Sequence, residues 1–234
     1  MNTSSAKRAL LLVFALIAML GFTALGIWQI ERRVWKLALI ARVEQRLYAP
    51  PTVAPGPAAW PKITREHDEY RKVITRGGFR HDAETLVQAV TERGPGYWII
   101  TPLVTSAGTI LVNRGFVPTE RRAATTRRAG QVAGPVAITG LLRITEPGGG
   151  FLRSNDPRAD RWYSRDVAVI AGARGITNAA PYFIDADATP NPGGWPVGGL
   201  TVVSFHNSHL VYALTWFALA CLSARGAWLV WSRR

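Results

Sequence analysis

The chain carries an uncharged apolar stretch at residues 9–27, ALLLVFALIAMLGFTALGI. A helix of this length extends about 28 Å, which matches the hydrocarbon thickness of one bilayer. A cleaved signal peptide is the alternative because Lys7 and Arg8 form a short basic start, but only Ala24-Leu25-Gly26 offers a weak cleavage pattern. We therefore predict an uncleaved transmembrane helix at residues 9–27.

A helical pattern continues directly after this stretch. Apolar residues recur there at three- and four-residue intervals, between basic residues. The apolar positions are Ile30, Val34, Leu37 and Ala41. The pattern predicts an amphipathic stalk helix over residues 28–48.

A second apolar stretch, LVYALTWFALACLSARGAWLVW, occupies residues 210–231 and holds one charge, Arg225. The 15 residues from Leu210 to Ala224 extend about 22 Å, so Arg225 reaches the far headgroups, where Trp228 and Trp231 act as interfacial anchors. We predict a second transmembrane helix over residues 206–231.

Composition agrees with membrane association. Of 234 residues, 48% are hydrophobic and only 18% are charged, which is below the share usual in soluble proteins. The net charge is +13, but the basic residues are spread along the chain, so we expect no nucleic-acid partner. A single cysteine, Cys221, excludes an intramolecular disulfide, and with two methionines it leaves too little sulfur for a copper carrier.

The region between the apolar stretches is rich in β-branched and aromatic segments bounded by Gly, Pro or Asn/Asp. The segments are Tyr70–Thr75, Thr85–Val90, Tyr97–Thr105, Thr109–Val117, Val136–Ile144, Tyr182–Ile184 and Leu200–Phe205. Residues 105–108 form the clearest hairpin turn, residues 119–128 a loop or short helix, and residues 166–173 a helical turn. We predict an α+β membrane protein whose β-rich domain, residues 49–205, is a sandwich or is barrel-like.

The orientation rests on two conflicting charge patterns. Five basic residues follow the first span and favour an external N-terminus, whereas Arg225, Arg233 and Arg234 at the end of the second span favour a cytoplasmic C-terminus. Long translocated domains weaken the rule, so we follow the second pattern. Residues 1–8 and 232–234 are then cytoplasmic, and the central domain is periplasmic.

The order of short motifs resembles that of the surfeit locus protein 1 family of cytochrome oxidase assembly proteins, over nearly the whole chain. Phe116 stands where the family often has Trp, and Ser208 where it often has Asn. In chain order, the motifs are Gly26-Ile27-Trp28-Gln29 with Arg32 and Lys36, Tyr70-Arg71-Lys72-Val73 with Gly78-Phe79, Gly96-Tyr97 with Thr101-Pro102-Leu103, Val112-Asn113-Arg114-Gly115-Phe116-Val117-Pro118, Asn155-Asp156-Pro157 with Arg161-Trp162-Tyr163 and Arg165-Asp166, and Asn207-Ser208-His209 with Tyr212 and Thr215-Trp216.

The resemblance implies a bacterial inner-membrane assembly factor that is not an enzyme. It further implies that the protein holds haem a transiently for insertion into the oxidase catalytic subunit. The partners implied are that subunit, the lipid bilayer and the machinery of haem a synthesis.

His209, Tyr212 and Trp216 have the spacing i, i+3 and i+7, so they share one face of the second helix. They form either an aromatic wall topped by an axial haem ligand or an ordinary interfacial belt. We expect His209 to be the iron ligand and His206 its less favoured alternative.

A second set of residues is expected to anchor the chain or contact a partner. Arg114 lies in an Asn-Arg-Gly sequence that indicates a turn, and Arg165-Asp166 indicates an ion pair at a helix start. The set comprises Trp28, Gln29, Arg32, Lys36, Arg114, Arg161, Trp162 and Arg165.

Two other functions remain open. A membrane-tethered periplasmic hydrolase would need a catalytic group, and only Asp185 and Asp187 at a strand end suggest one; such a pair is more often a turn. The other is a cofactor-free scaffold of a respiratory complex.

Overall fold

The computed structural model describes residues 3–150, 152–201 and 207–232. The chain forms two compact units: a helical unit, Met1–Arg42 with Val203–Arg234, and a β-rich unit, Val43–Val202. The β-rich unit confirms the predicted α+β class.

Two long helices make up the helical unit. Helix α1 spans Thr3–Tyr48 without a break, and its last turns enter the β-rich unit; helix α4 spans His209–Ser232. Both are long and apolar enough to cross a membrane by length and composition. The helices pack antiparallel, because Arg8 bonds to the Trp231 carbonyl near one end while Gln29 meets His209 near the other.

In the β-rich unit, the described residues form seven strands and two short α-helices. The strands pair in the order β1-β2-β6-β7-β5-β4-β3, with β5 and β7 parallel. The elements are β1 Thr52–Val53, α2 Arg65–Asp68, β2 Lys72–Phe79, β3 Thr85–Thr91, β4 Gly94–Thr105, β5 Gly108–Pro118, β6 Pro135–Ile144, α3 Val167–Ala173 and β7 Ala179–Ala186.

An additional pairing of β2 with β4 closes the sheet into a barrel of five strands, β2, β6, β7, β5 and β4. The 12-residue β4 pairs with β3 through its first half and with β2 near its end. Gly77 permits this closure, since a Cβ there would lie 2.2 Å from the Val104 carbonyl oxygen. Of the two predicted alternatives, sandwich and barrel, the structure shows the barrel-like one.

The core lies on both faces of the central strands. Alternation along β7 directs Tyr182 and Ile184 into one apolar cluster and Phe183 into a second, which also contains Trp162 and Ile170 of α3. Strands β5 and β7 are therefore buried on both faces, and their side chains are held in fixed positions.

Most of the predicted segments match observed elements. The 105–108 turn joins β4 to β5, short 3-10 helices occupy residues 119–121 and 124–130, and Asp166 caps α3. The two-residue β1 was not predicted. The predicted strand 200–205 is wrong at Leu200 and Thr201, which lie outside any strand; its other residues lie outside the described part of the chain.

Candidate functional site

A polar contact joins the side chains of α1 and α4 in the helical unit. Nδ1 of His209, at the start of α4, lies 2.7 Å from Oε1 of Gln29, whose side chain is 9% exposed. An amide oxygen only accepts hydrogen bonds, so in this contact the imidazole donates from Nδ1. In the tautomer that carries its proton on Nδ1, Nε2 has a free lone pair, and this atom lies on the side of the ring away from the Gln29 amide.

Small and aromatic residues pack the two helices closely enough for Gln29 and His209 to bond. Gly26 admits the Phe217 ring, because a Cβ on Gly26 would lie 2.5 Å from it. The rings of Phe22 and Trp216 stack at 5.6 Å with an interplanar angle of 24°. Close packing of this kind fixes the helix register, and the register places Gln29 opposite His209.

The three residues predicted to share a helical face differ in exposure. His209 and Trp216 lie toward α1 and are half-buried, whereas Tyr212 is 54% exposed at the flank of that contact. His209 is therefore held by Gln29 through Nδ1, and the neighbouring Tyr212 ring is exposed to solvent. His206 lies outside the described residues.

The residues predicted near the end of the first span remain on α1. Trp28 is 53% exposed, and the Arg32 guanidinium lies 4.0 Å from the centre of the Trp35 ring. Lys36, one turn beyond Arg32, is half-buried. The exposed indole and the cations form an amphipathic segment next to Gln29 in sequence.

Arg114 does not lie in a turn, which corrects the prediction made from its Asn-Arg-Gly context. It lies inside β5, where the pairing with β4 shifts register and forms a bulge. Gly115 supplies the left-handed backbone of this bulge with φ +128°, and a Cβ there would lie 2.1 Å from the Val197 oxygen. Asn and Gly thus serve the bulge, which buries Arg114 to 2% exposure.

Arg161 and Trp162 have separate environments. Arg161 forms an exposed ion pair with Asp156 at 2.9 Å. Trp162 is 1% exposed in the second apolar cluster, and its indole N–H donates to Asp160 Oδ1 at 2.7 Å. These contacts favour the structural interpretation of Trp162 over the docking one.

Arg165 does not pair with Asp166, contrary to the sequence prediction. Its guanidinium instead binds both oxygens of Glu146, at 2.8 and 2.7 Å, and reaches Asp185 at 3.1 Å. The Asp166 carboxylate is used to cap α3 by accepting from Val169 N. The bidentate contact fixes Arg165 on the β-rich unit.

Asp185 is a buried counter-ion and not half of a carboxylate pair. Its carboxylate accepts from Arg143 and Arg165 and also from Asn113 at 2.7 Å and Thr201 at 2.9 Å. Asp187 instead accepts from the Thr189 backbone N–H. Asp185 and Asp187 therefore do not form the carboxylate pair that the hydrolase alternative requires.

The donor set of the helical pair is a single imidazole, which is the donor that an axial position of haem takes. Among the described residues, no group of three His, Cys, Asp or Glu side chains could hold a metal ion. A haem brings four nitrogen ligands of its own and needs one axial imidazole from the protein, which a neutral His209 offers at Nε2.

Of the residues important for this contact, Phe22 was not singled out from the sequence, and Gly26 was named only as part of the Gly26-Ile27-Trp28-Gln29 motif and of a weak cleavage pattern. With Gln29 they follow a four-then-three spacing along α1, which is the spacing of residues at a left-handed helix–helix contact. This spacing could have indicated the contact, but nearly every residue of the helix is apolar, so the contact positions do not differ from their neighbours.

Comparison with known sequences shows the family to which the chain belongs. A sequence model of the SURF1 family matches residues 16–221. Surfeit locus protein 1 of Mus musculus is 39% identical over 221 residues, covering 87% of this chain and 70% of the relative. The Homo sapiens protein of the same name is 38% identical over 230 residues, with 91% and 74% covered, and a SURF1-like protein of Monosiga brevicollis is 37% identical over 236 residues, with 94% and 87% covered. The chain therefore belongs to the SURF1 family.

Proposed function

We propose that this protein is a membrane-bound assembly factor for haem-copper cytochrome oxidase, and that it holds haem a on His209 for insertion into the catalytic subunit. Family membership supports the assembly role. The observation that carries the haem proposal is the 2.7 Å contact between His209 Nδ1 and Gln29 Oε1.

This contact provides the support that an iron-binding histidine needs. A ligating imidazole donates its second ring N–H to a hydrogen-bond acceptor, which fixes the tautomer, orients the ring and raises its basicity. Gln29 is that acceptor. Because Gln29 is largely buried and Gly26 lies one turn before it at the helix contact, the amide has little freedom to rotate away from His209.

Aromatic residues supply the apolar contact for a flat macrocycle. Tyr212 presents an exposed ring three residues after His209, and Trp216 is half-buried against Phe22 on the same helix. A haem bound here is ligated by one histidine and covered on part of its surface. Such a site releases its ligand faster than a fully enclosed pocket, as transfer to another protein requires.

Basic residues next to the site suit the haem propionates. Arg32 and Lys36 follow Gln29 on α1 by about one and two helical turns. Their charges, together with the exposed indole of Trp28, place an anion-attracting segment next to the ligand. We propose that this segment contacts propionates, lipid headgroups or the oxidase partner.

The proposed location is the bacterial inner membrane, with both termini cytoplasmic and residues from about 31 to 205 periplasmic. Two helices long and apolar enough to span a bilayer support anchoring. A reporter active only in the periplasm should give signal when fused at Gly148 and none after Arg234. The reverse pattern would contradict the orientation.

The haem proposal is tested by purifying the full chain from cells that make haem a and recording its visible spectrum. His209→Ala should lose most of the haem absorbance, and His206→Ala should lose much less. His67→Ala is the matched control, because His67 is exposed in the β-rich unit. Equal folding of all variants is checked by circular dichroism. If His209→Ala keeps an unchanged spectrum and stoichiometry, His209 is not the iron ligand, and the interpretation of this helix face as an interfacial belt is preferred.

A further inference from the structure

Arg114 differs from the other buried arginines of the β-rich unit in having no acidic partner. Arg127 pairs with Glu84, and Arg143 and Arg165 pair with Asp185. In the described part of the chain, the Arg114 guanidinium forms no ion pair, although it is 2% exposed. Burying a charged group without a counter-ion is unfavourable, so a buried arginine of this kind needs another explanation.

The guanidinium is also incompletely hydrogen-bonded. Nη2 donates to the Gly130 carbonyl and to Asn191 Oδ1 at 2.9 Å, and the Phe79 ring lies 4.7 Å from the guanidinium carbon. Nε and Nη1 are buried and have no partner. Burial lowers the pKa of Arg114 to about 10, with nearby Glu84 opposing and Arg127 adding to this shift, so the group is still charged at neutral pH.

A cavity of about 170 Å³ lies against this side chain. It is larger than the roughly 30 Å³ that one water occupies in the liquid, so a ligand group of several atoms fits. Most of its lining is apolar, and one acid, Asp187, borders it. The lining that bears on the argument comprises Phe79, Arg114, Val136, Ile138, Pro190 and Asp187.

We propose that Arg114 and this cavity form a binding site for a carboxylate carried on a short apolar stem. The carboxylate supplies the missing counter-charge and accepts from the N–H groups that lack a partner, while the stem packs against Val136 and Ile138. A single negative charge suits one guanidinium, and the nearby Asp187 disfavours a dianion such as phosphate. The carboxylate is either a free small acid or a carboxyl group borne by a peptide chain.

This proposal uses residues of the β-rich unit alone, so it does not depend on the haem proposal. The test is a thermal unfolding series on the full chain in detergent micelles. Its probes are propionate, its neutral analogue propionamide, sodium chloride at equal ionic strength, and a short acetylated peptide with a free or an amidated carboxyl end. Binding at about ten times Kd should raise the Tm by about 3 °C through preferential binding to the folded state.

Propionate should raise the Tm of the wild-type protein more than chloride or propionamide does, and Arg114→Gln should abolish that difference. Arg158→Gln is the matched control, because it removes an exposed arginine. Ala137→Phe narrows the cavity from an exposed position and keeps Arg114, so it tests the site even if Arg114→Gln does not fold.

The two probes distinguish the source of the carboxylate. A larger effect of the free-acid peptide than of propionate identifies a peptide carboxyl group, and the converse identifies a free small acid. The proposal is overturned if neither propionate nor the free-acid peptide raises the Tm above that in chloride. Water would then be the partner of the buried N–H groups. The proposal is also overturned if wild-type, Arg114→Gln and Ala137→Phe proteins respond equally.

Discussion

The two units of the molecule treat buried polar groups in opposite ways. In the β-rich unit, the Asp185 carboxylate accepts from four side chains and the Arg127 guanidinium is matched by Glu84. In the helical unit, Gln29 bonds to one ring nitrogen of His209, and no described residue bonds to the other. Within the β-rich unit, Arg114 departs from this pattern, because it has no ion pair among the described residues and its buried Nε and Nη1 have no hydrogen-bond partner.

The difference separates residues that hold the fold from residues that offer chemistry. A buried ion network with every oxygen occupied has no lone pair to give to a ligand, so it stabilises or positions neighbouring strands. An imidazole fixed through one nitrogen keeps a lone pair for a metal. Substitutions in the first kind of site should therefore change stability, and those in the second should change binding.

The largest expected effect is at the centre of the ion network. Asp185→Ala leaves Arg143 and Arg165 without their shared buried partner and should lower the free energy of unfolding by about 3–5 kcal/mol. Urea denaturation followed by circular dichroism measures this. Asp156→Ala, which removes the acid of an exposed ion pair, should leave the free energy of unfolding nearly unchanged. Similar losses in the free energy of unfolding for the two variants would show that the buried ion network does not stabilise the β-rich unit more than an exposed ion pair does.

A smaller effect, on binding rather than folding, is expected at Gln29. Gln29→Leu keeps the side-chain size but removes the acceptor for Nδ1–H, so the affinity for haem should fall by about 10- to 100-fold. Haem titration followed by absorbance measures the loss. Gln45→Leu makes the same change at an exposed position of α1 and should leave affinity unaltered. Unchanged affinity in Gln29→Leu would show that Gln29 does not support the ligand.

A change at Gly26 should have a milder effect on the same binding. Gly26→Ala places a methyl group 2.5 Å from the Phe217 ring, which must rotate or push the helices apart. Haem affinity should fall by about threefold, since a strain of roughly 0.7 kcal/mol corresponds to that factor. Gly21→Ala is the control, because nothing lies within 4 Å of the added Cβ. Equal affinities for the two variants would show that helix spacing does not govern the site.

The smallest expected effect is at Arg161, despite its place in a family motif. Arg161→Gln removes one exposed ion pair and should leave the free energy of unfolding nearly unchanged. Haem content should not change. A reduced oxidase level in cells carrying this otherwise stable variant would assign Arg161 to partner contact.

Local sequence patterns predicted much of the fold because their causes are local. A charge-free run of residues 9–27 favours a helix wherever it lies, and the hairpin at residues 105–108 follows from its turn residues. The bulge at Arg114 was mistaken for a turn because Asn and Gly suit both, and only pairing with β4 distinguishes the two.

The sequence by itself determined the two apolar helices, most strand positions and the family. The tertiary structure decided which groups meet: β2 closes the barrel against β4, Asp185 gathers the arginines, and Gln29 bonds to a histidine 180 residues away. The physical reason is that helix and strand preferences depend on neighbours along the chain. The hydrogen bonds and the burial of a side chain such as His209 depend instead on neighbours in space.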